Sequence, residues 1–252
     1  MKNNLHFAHA SSFSVWPLGD RALVIGLKEE GNVPLWKLAS ELALRIRNLG
    51  VSWIVDVIPA YDTVTIVYEP LVVWGLAGAG GLGRNERPLP YDYAVSFIEP
   101  LLAHTESADD GEIRIVEIPV CYGGEYGPDL ADCAARSGLA EEAFIALHSR
   151  FDYKVAMIGF MPGFPYLTGL PEALAQPRRS SPRSRVSAGS VGIAGCQTGI
   201  YPLASPGGWQ LIGRTPVRLF DPGRGEPSLL RAGDVLRFIP ITAEAMVARG
   251  DG

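Results

Sequence analysis

The sequence predicts an α+β protein of two units, a small α+β domain over residues 10–105 and a β-rich unit over residues 112–242. Three observations lead there. The first hundred residues run strand, helix, strand, strand, helix, an order that lays helices on one face of a sheet. The polar run HTESADDGE, through Gly111, has the composition of a linker. Beyond it, segments such as IRIVEIPVCY alternate with Gly- and Pro-rich stretches, the pattern of turns and short strands. At 252 residues the chain is long enough for one large core or two modest ones.

Each element has a local reason. Phe13 to Leu27 ends in the strand-like ALVIGL and is broken near its start by Pro17, Gly19 and Asp20. From Val33 to Asn48, Leu35, Leu38, Leu42 and Ile46 recur at helical spacing, and Gly50 supplies a stop. VSWIVDVIPA and DTVTIVYEP are rich in β-branched residues and separated by the turn-like Pro59 to Asp62, so they pair as strands. WGLAGAGGLGRNERPLP reads as a surface loop. Its Gly78, Gly80 and Gly83 formally fit G-x-G-x-x-G, but Pro88 and Pro90 follow in a polar run where a dinucleotide site needs a helix opening. No G-x-x-x-x-G-K-[ST] phosphate loop occurs. A second helix is expected at Tyr91 to His104.

In the second unit the strand IRIVEIPVCY is followed by short helices at Pro128 to Ala135 and Leu139 to Ser149. Glu141 and Glu142 in the first turn of the latter complement the helix dipole. YKVAMIGF is a strand leading into Gly159 to Arg214, a stretch dense in Gly, Pro, Ser and Arg yet threaded with Phe160, Phe164, Tyr166, Ile193, Tyr201, Trp209 and Ile212. That threading argues for an ordered surface of turns and short strands, where binding groups tend to sit. VGIAGCQTGIYP reads as a hairpin, SPGGW as a turn with an aromatic heading a strand, and VRLFDP and AGDVLRFIPI as further strands. AEAMVARGDG is expected to be a short, frayed tail.

Composition narrows the function classes. A formal net charge of −5 argues against a general nucleic-acid or anionic-membrane binder. Three widely spaced cysteines, Cys121, Cys133 and Cys196, without a C-x-x-C pair, point to free thiols in a reducing compartment. The amino-terminal MKNNLHFAHASSFSVW has no apolar run long enough for a signal peptide and nothing later approaches a membrane-spanning length, so the cytoplasm is the expected location. His6, His9, His104 and His148 form no helical ligand pair, and no metal site is expected.

Chemistry concentrates in PRRSSPRSR, where Arg178, Arg179, Arg183 and Arg185 occur without a lysine. Guanidinium forks suit bidentate capture of carboxylate or phosphate, and Pro177 and Pro182 stiffen the segment. An anion or partner site, a solvated loop and a nucleic-acid patch are the competing readings; the absence of interleaved aromatics counts against the last. Gly189 and Ser190 lie in A-G-S-V-G, close to a nucleophile elbow, but the residues after Ser190 would make a poor helix, so a turn offering backbone N–H groups and a hydroxyl is the better reading. Gln197, Thr198 and Tyr201 offer neutral donors and acceptors for an amide-like substrate, or serve the hairpin. His148 reads either as a helix-terminal residue near exposed carbonyls or as a site residue, Trp209 as core or interface, and Arg214 closes the stretch.

The series EIPVCY from Glu117, GPDL from Gly127, LHS from Leu147, GFMPGFPYL from Gly159, PRRSSPR from Pro177, AGSVGIAG from Ala188, QTGIYP from Gln197, SPGGW from Ser205 and GRTP from Gly213 resembles the 5-oxoprolinase B-subunit family. This family is also described as allophanate hydrolase subunit 1-like and includes a sporulation kinase inhibitor. PLGDRAL at Pro17 and PAY at Pro59 extend the resemblance into the first unit; Ser187 departs from the family's usual proline. The resemblance implies a cyclophilin-like β-barrel for the carboxy-terminal domain. It also implies a hydrolase subunit, inactive alone, that works with A-like and C-like 5-oxoprolinase partners. ATP is then a co-substrate of the complex, with no nucleotide assigned to this chain. A histidine-kinase regulator and a urea- or allophanate-type system are the alternatives it allows. On this reading His148, Arg183, Gln197 and Tyr201 are the catalytic candidates. Arg178, Arg179, Arg183, Arg185, Gly189, Ser190, Gln197, Thr198 and Arg214 are expected to bind substrate or anion, and Phe160, Phe164, Tyr166 and Trp209 to face a partner.

Overall fold

Apolar alternation builds the first sheet. In strand β1 (Phe13–Leu18) Phe13 and Val15 face the core, and Gly19, at a φ of 66°, lets the chain double back into β2 (Ala22–Leu27). The break at Pro17 to Asp20 is therefore a hairpin joining two strands. These features belong to a computed structural model that describes residues 13–28, 33–78, 87–102 and 114–250. The leader with His6 and His9, the glycines Gly80 and Gly83, and HTESADDGE with His104 lie outside the described residues.

Helix α1 (Leu35–Asn48) turns Ala39, Leu42, Ala43 and Ile46 fully inward, an i, i+3, i+4, i+7 stripe. Strands β3 (Ile54–Pro59) and β4 (Thr63–Tyr68) complete an antiparallel sheet in the order β1-β2-β4-β3. The expected loop after β4 is corrected at its start, because Pro70 opens a helix, α2 (Pro70–Ala77), that includes Trp74 to Ala77. PLVVWGLA is apolar all round and only eight residues long, so it has no periodicity to betray a helix. Helix α3 (Pro90–Leu102) adds Ala94, Val95, Ile98 and Leu102 to the same core. The contacts of the chain divide into two units, Met1–Gly111 and Glu112–Gly252.

The second unit begins with β5 (Ile115–Tyr122), α4 (Leu130–Arg136), α5 (Glu141–Arg150), β6 (Asp152–Ile158) and β7 (Pro165–Thr168). It continues through β8 (Arg183–Val186), β9 (Ser190–Ala194), β10 (Gln197–Ile200), β11 (Ser205–Gly207), β12 (Gln210–Arg214), β13 (Val235–Ile241) and α6 (Ala243–Gly250). Seven strands close into a barrel in the order β10-β7-β6-β13-β5-β12-β9, while β8 and β11 form a separate two-stranded ribbon. The cyclophilin-like barrel expected of this unit is present. β13 runs parallel to β5 from Val235 opposite Ile115 to Ile241 opposite Cys121, joining the two ends of the unit's chain. Ile118, Val120, Val155, Leu167, Val191, Ile193, Ile200, Ile212, Leu236 and Phe238 belong to its core. Each such side chain contributes about 1.5–3 kcal/mol by leaving water.

Three local readings differ from the structure. VRLFDP forms no strand, only a bridge between Phe220 and Ser228, because Asp221 turns the chain by accepting the Gly223 N–H at 3.0 Å. The tail forms α6, started by Thr242, whose hydroxyl accepts the Ala245 N–H at 3.3 Å, and anchored by buried Met246. Ser205–Gly207 and Arg183–Val186, read as turn and loop, pair with each other instead. Among the described residues no helix is long and apolar enough to cross a membrane.

Candidate functional site

Strand alternation sorts the candidate residues onto two sides of the barrel wall. Val191, Ile193, Ile200 and Leu167 point into the core, so Gly192, Ala194, Tyr201 and Tyr166 point the other way. On that second side Phe164, Val186, Ala194, Tyr201, Trp209 and Leu211 form a smaller cluster, with Met161 and Tyr166 against it. Phe164 makes edge contacts with Phe160, Tyr201 and Trp209 at centroid distances of 5.3–5.6 Å. Glycines make room for these rings. A Cβ on Gly207 would stand 2.5 Å from the Tyr201 hydroxyl, and one on Gly199 would stand 2.8 Å from the Pro165 carbonyl.

The arginine segment lies over this cluster through a carboxylate that its local sequence does not contain. Asp129 is buried, and its Oδ1 accepts hydrogen bonds from Arg179 Nη1 at 3.1 Å and from Arg183 Nη2 at 2.7 Å. Its Oδ2 accepts the Leu211 N–H at 2.7 Å, and its own N–H donates to the Leu211 carbonyl at 2.9 Å. Asp129 therefore ties the segment to β12. The Arg179 N–H adds a bond to the Gly208 carbonyl, and Gln210 donates to the Pro177 carbonyl. Burial raises the Tyr201 hydroxyl above its ordinary pKa, against the opposing pull of a Trp209 backbone hydrogen bond and of Arg178 and Arg183. Tyr166 is likewise raised by burial and lowered by Arg178. Arg178 is thus close enough to act on both phenols.

On the core side sits His148, in the last turn of α5 as expected but fully buried, with its ring nitrogens on Tyr122 and Thr198 and not on exposed helix carbonyls. Thr198 Oγ1 donates its single proton to the Gly192 carbonyl at 3.1 Å, so at 3.1 Å from His148 Nε2 it acts as acceptor. His148 is therefore the Nε2–H tautomer, and its Nδ1 accepts from the Tyr122 hydroxyl at 2.8 Å. Phe238 and Tyr153 flank the imidazole at 4.6 and 5.4 Å. Burial lowers its pKa to about 3, which keeps it neutral. The Tyr122 hydroxyl is pushed well above its ordinary value by the same burial.

Several expected site residues are already committed to structure. Thr198 faces the core and both its donor and its acceptor are in use. The Gly189 N–H donates to the Tyr201 carbonyl and the Ser190 N–H to Ser187, so the turn does not present free backbone donors. A Cβ at Gly189, whose φ is 80°, would overlap the Thr215 carbonyl. Arg214 Nε donates to the Ala188 carbonyl, holding that turn in place. Phe164 and Trp209, expected at a partner surface, are packed inside the chain; Phe160, 64% exposed and at a φ of 66°, is the outward-facing member of that group. Tyr166 and Gln197 are half-buried, and Arg178 and Arg185 exposed. Ser190 opens β9 with no helix after it, consistent with a turn and not a nucleophile elbow. Sequence reasoning misses Asp129 and Tyr122, whose only signal is their presence in the GPDL and EIPVCY motifs.

Among the described residues no group of three His, Cys, Asp or Glu side chains is placed to hold a metal ion. A shallow cavity of about 330 Å³ lies in the first unit between the end of α1 and β3, lined by Ile46, Arg47, Val51, Ile54, Asp56 and Val57, and brings no catalytic pair together.

Comparison with known proteins finds one matching family and several similar chains. The family described as carboxyltransferase domain, subdomain C and D, matches residues 13–230. The Bacillus subtilis (strain 168) protein named as the B subunit of 5-oxoprolinase is 43% identical over 232 residues, covering 91% of this chain and 93% of that protein. The crystal structure of TTHA0988 is similar at a TM-score of 0.69 and 37% identity over 88% of this chain, which spans 40% of that longer one. Urea carboxylase from Kluyveromyces lactis, 18% identical, matches 97% of this chain and 23% of its own length with a TM-score of 0.70, a likeness of fold.

Proposed function

The chain belongs to the 5-oxoprolinase B-subunit family, and from that premise we propose that it forms part of an ATP-dependent 5-oxoprolinase, inactive alone, that assembles from A-type, B-type and C-type subunits. The observation that carries this is the 43% identity to the Bacillus subtilis protein over nearly all of both chains. The arginine and aromatic face around Asp129, Arg183 and Tyr166 supports it by offering charge and apolar surface to one side of a shared site.

The chemistry asks for such a site. A lactam carbonyl is a weak electrophile, so the complex transfers the γ-phosphoryl group of ATP to the carbonyl oxygen, releasing ADP. Water then adds to the activated carbon, the ring C–N bond breaks with a proton going to nitrogen, and hydrolysis of the acyl phosphate leaves glutamate and inorganic phosphate. Positioning and charge stabilisation are what protein groups contribute to such a transfer. Within this chain Arg183 and Arg178 supply cationic donors, and the half-buried Gln197 lies on β10, the strand that leads into Tyr201. His148, held neutral in the core, serves as a brace for β10 through Thr198.

The test is reconstitution. The purified chain alone shows no 5-oxoproline-dependent ADP release, and adding A-type and C-type partners produces ADP and glutamate together. A complete mixture without 5-oxoproline-dependent turnover overturns the proposal.

A further inference from the structure

The cluster around Asp129 has too few acceptors for its donors. Two guanidinium groups meet one carboxylate, so the group carries one net positive charge. Arg179 Nε and Arg183 Nη1 are buried and hydrogen-bond to nothing. Buried donors left unpaired are costly, and native proteins seldom keep two together without a partner. The remaining guanidinium surface is open to solvent, with the Arg179 side chain 36% exposed and that of Arg183 23% exposed. Arg178, exposed, adds a further charge whose field reaches the Tyr166 and Tyr201 hydroxyls.

We propose that Arg179 and Arg183, held by Asp129, form a built site for a single carboxylate carried on a small ring. Two features select a carboxylate over a phosphate. The Asp129 cluster by itself carries a single surplus charge that one carboxylate neutralises, whereas a doubly charged phosphate is repelled more strongly by the Asp129 carboxylate across the same forks. The Arg179 N–H bonds the carbonyl of Gly208, the neighbour of Trp209, and Trp209 packs against the half-buried Tyr166 ring, so an aromatic surface adjoins the arginine segment and gives a ring attached to that carboxylate an apolar neighbour. The identity of the ring as 5-oxoproline rests on the function proposed above; the anion chemistry does not. Asp129 is a positioning residue in this arrangement. It contacts the two forks and the β12 backbone, and so fixes how the two partly exposed guanidinium groups are turned.

Direct binding to the intact chain tests this without requiring turnover. The Arg Nε–Hε resonances of ¹⁵N-labelled protein are followed at constant ionic strength during titration with 5-oxoproline, with 2-pyrrolidinone, the same ring without its carboxylate, and with inorganic phosphate. The expected result is a saturable shift of the Arg179 and Arg183 signals with 5-oxoproline, none with 2-pyrrolidinone, and weaker binding of phosphate. Arg183→Lys keeps the charge that pairs with Asp129 and loses the fork, and it is expected to weaken 5-oxoproline about tenfold or more with an unchanged melting temperature. No saturable shift, equal shifts with 2-pyrrolidinone, tighter phosphate binding, or unaltered binding to a folded Arg183→Lys protein each overturns the site. Saturable binding in a chain whose reconstituted complex lacks turnover removes the proposed function and leaves the carboxylate site standing. Turnover without these shifts does the reverse.

Discussion

Acid sensitivity of the barrel follows from one buried ring. His148 has an ordinary pKa near 6.5 in the unfolded chain and is lowered to about 3 in the folded one by burial among Tyr122, Tyr153, Thr198 and Phe238. Above pH 6.5 the ring is neutral in both states and contributes no pH dependence. Below it the unfolded state binds a proton that the folded state refuses, so stability falls as pH drops, until the folded ring titrates near pH 3. At about 1.4 kcal/mol per pH unit, lowering the pH to about 4.5 removes about 3 kcal/mol. Urea unfolding at about pH 7.5 and about pH 4.5 reads this, followed by ¹⁹F signals from 5-fluorotryptophan at Trp209, the only tryptophan of the second unit. His148→Gln is expected to lose about 1–3 kcal/mol at both pH values, because the Tyr122 hydroxyl loses its acceptor, and to shed about 3 kcal/mol of the additional acid loss. Taking the difference between the two proteins cancels the titration of carboxylates common to both. Equal acid losses in wild type and His148→Gln would refute the account of a neutral, desolvated His148.

Other outcomes follow from the same geometry. Asp129→Ala leaves two guanidinium groups without their carboxylate and is expected to destabilise the second unit toward the lower end of about 3–5 kcal/mol, since both arginines reach water; the urea midpoint measures it. Gly207→Ala places a methyl against the Tyr201 hydroxyl and is expected to lower stability by about 1–3 kcal/mol, whereas the same change at Gly19, where no atom stands within 4 Å, acts only through its positive φ. Cys196, exposed, is expected to react rapidly with a thiol reagent while Cys121 and Cys133 wait for unfolding; burial holds the Cys133 thiol up at about 11, and labelling followed by mass spectrometry distinguishes them. In the reconstituted complex Arg183→Ala is expected to reduce 5-oxoproline turnover; unchanged turnover and unchanged assembly would confine Arg183 to holding its own loop.

The parts of the fold legible from residues alone are those with a local cause. Helix α1 declares itself through apolar spacing, and the β9–β10 hairpin through glycines between apolar residues. Helix α2 does not, because an element apolar on every side has no period. VRLFDP carries strand-like residues, but a strand exists only where a neighbour accepts its backbone bonds, and the Asp221 turn withdraws that segment from the ladder. The candidate site divides in the same way. The lysine-free run of Arg178, Arg179, Arg183 and Arg185 is visible as composition, yet its counter-charge lies some fifty residues earlier.

By itself, then, the sequence determined the α+β class, most helices and strands, the family, and the place where charge and aromatics accumulate. Those follow from short-range spacing and residue chemistry. Only the tertiary structure decided which of the four arginines are clasped by Asp129, that His148 lies in the barrel core as a neutral ring, and that Phe164 and Trp209 face inward while Phe160 faces out. Each of those depends on which strands neighbour one another once the barrel closes, and closure pairs β9, which lies between the two strands of the β8–β11 ribbon in the chain, with β12, which follows them. Burial and pairing are properties of that closed arrangement, because desolvation and hydrogen bonding act between groups that are close in space however far apart they are along the chain.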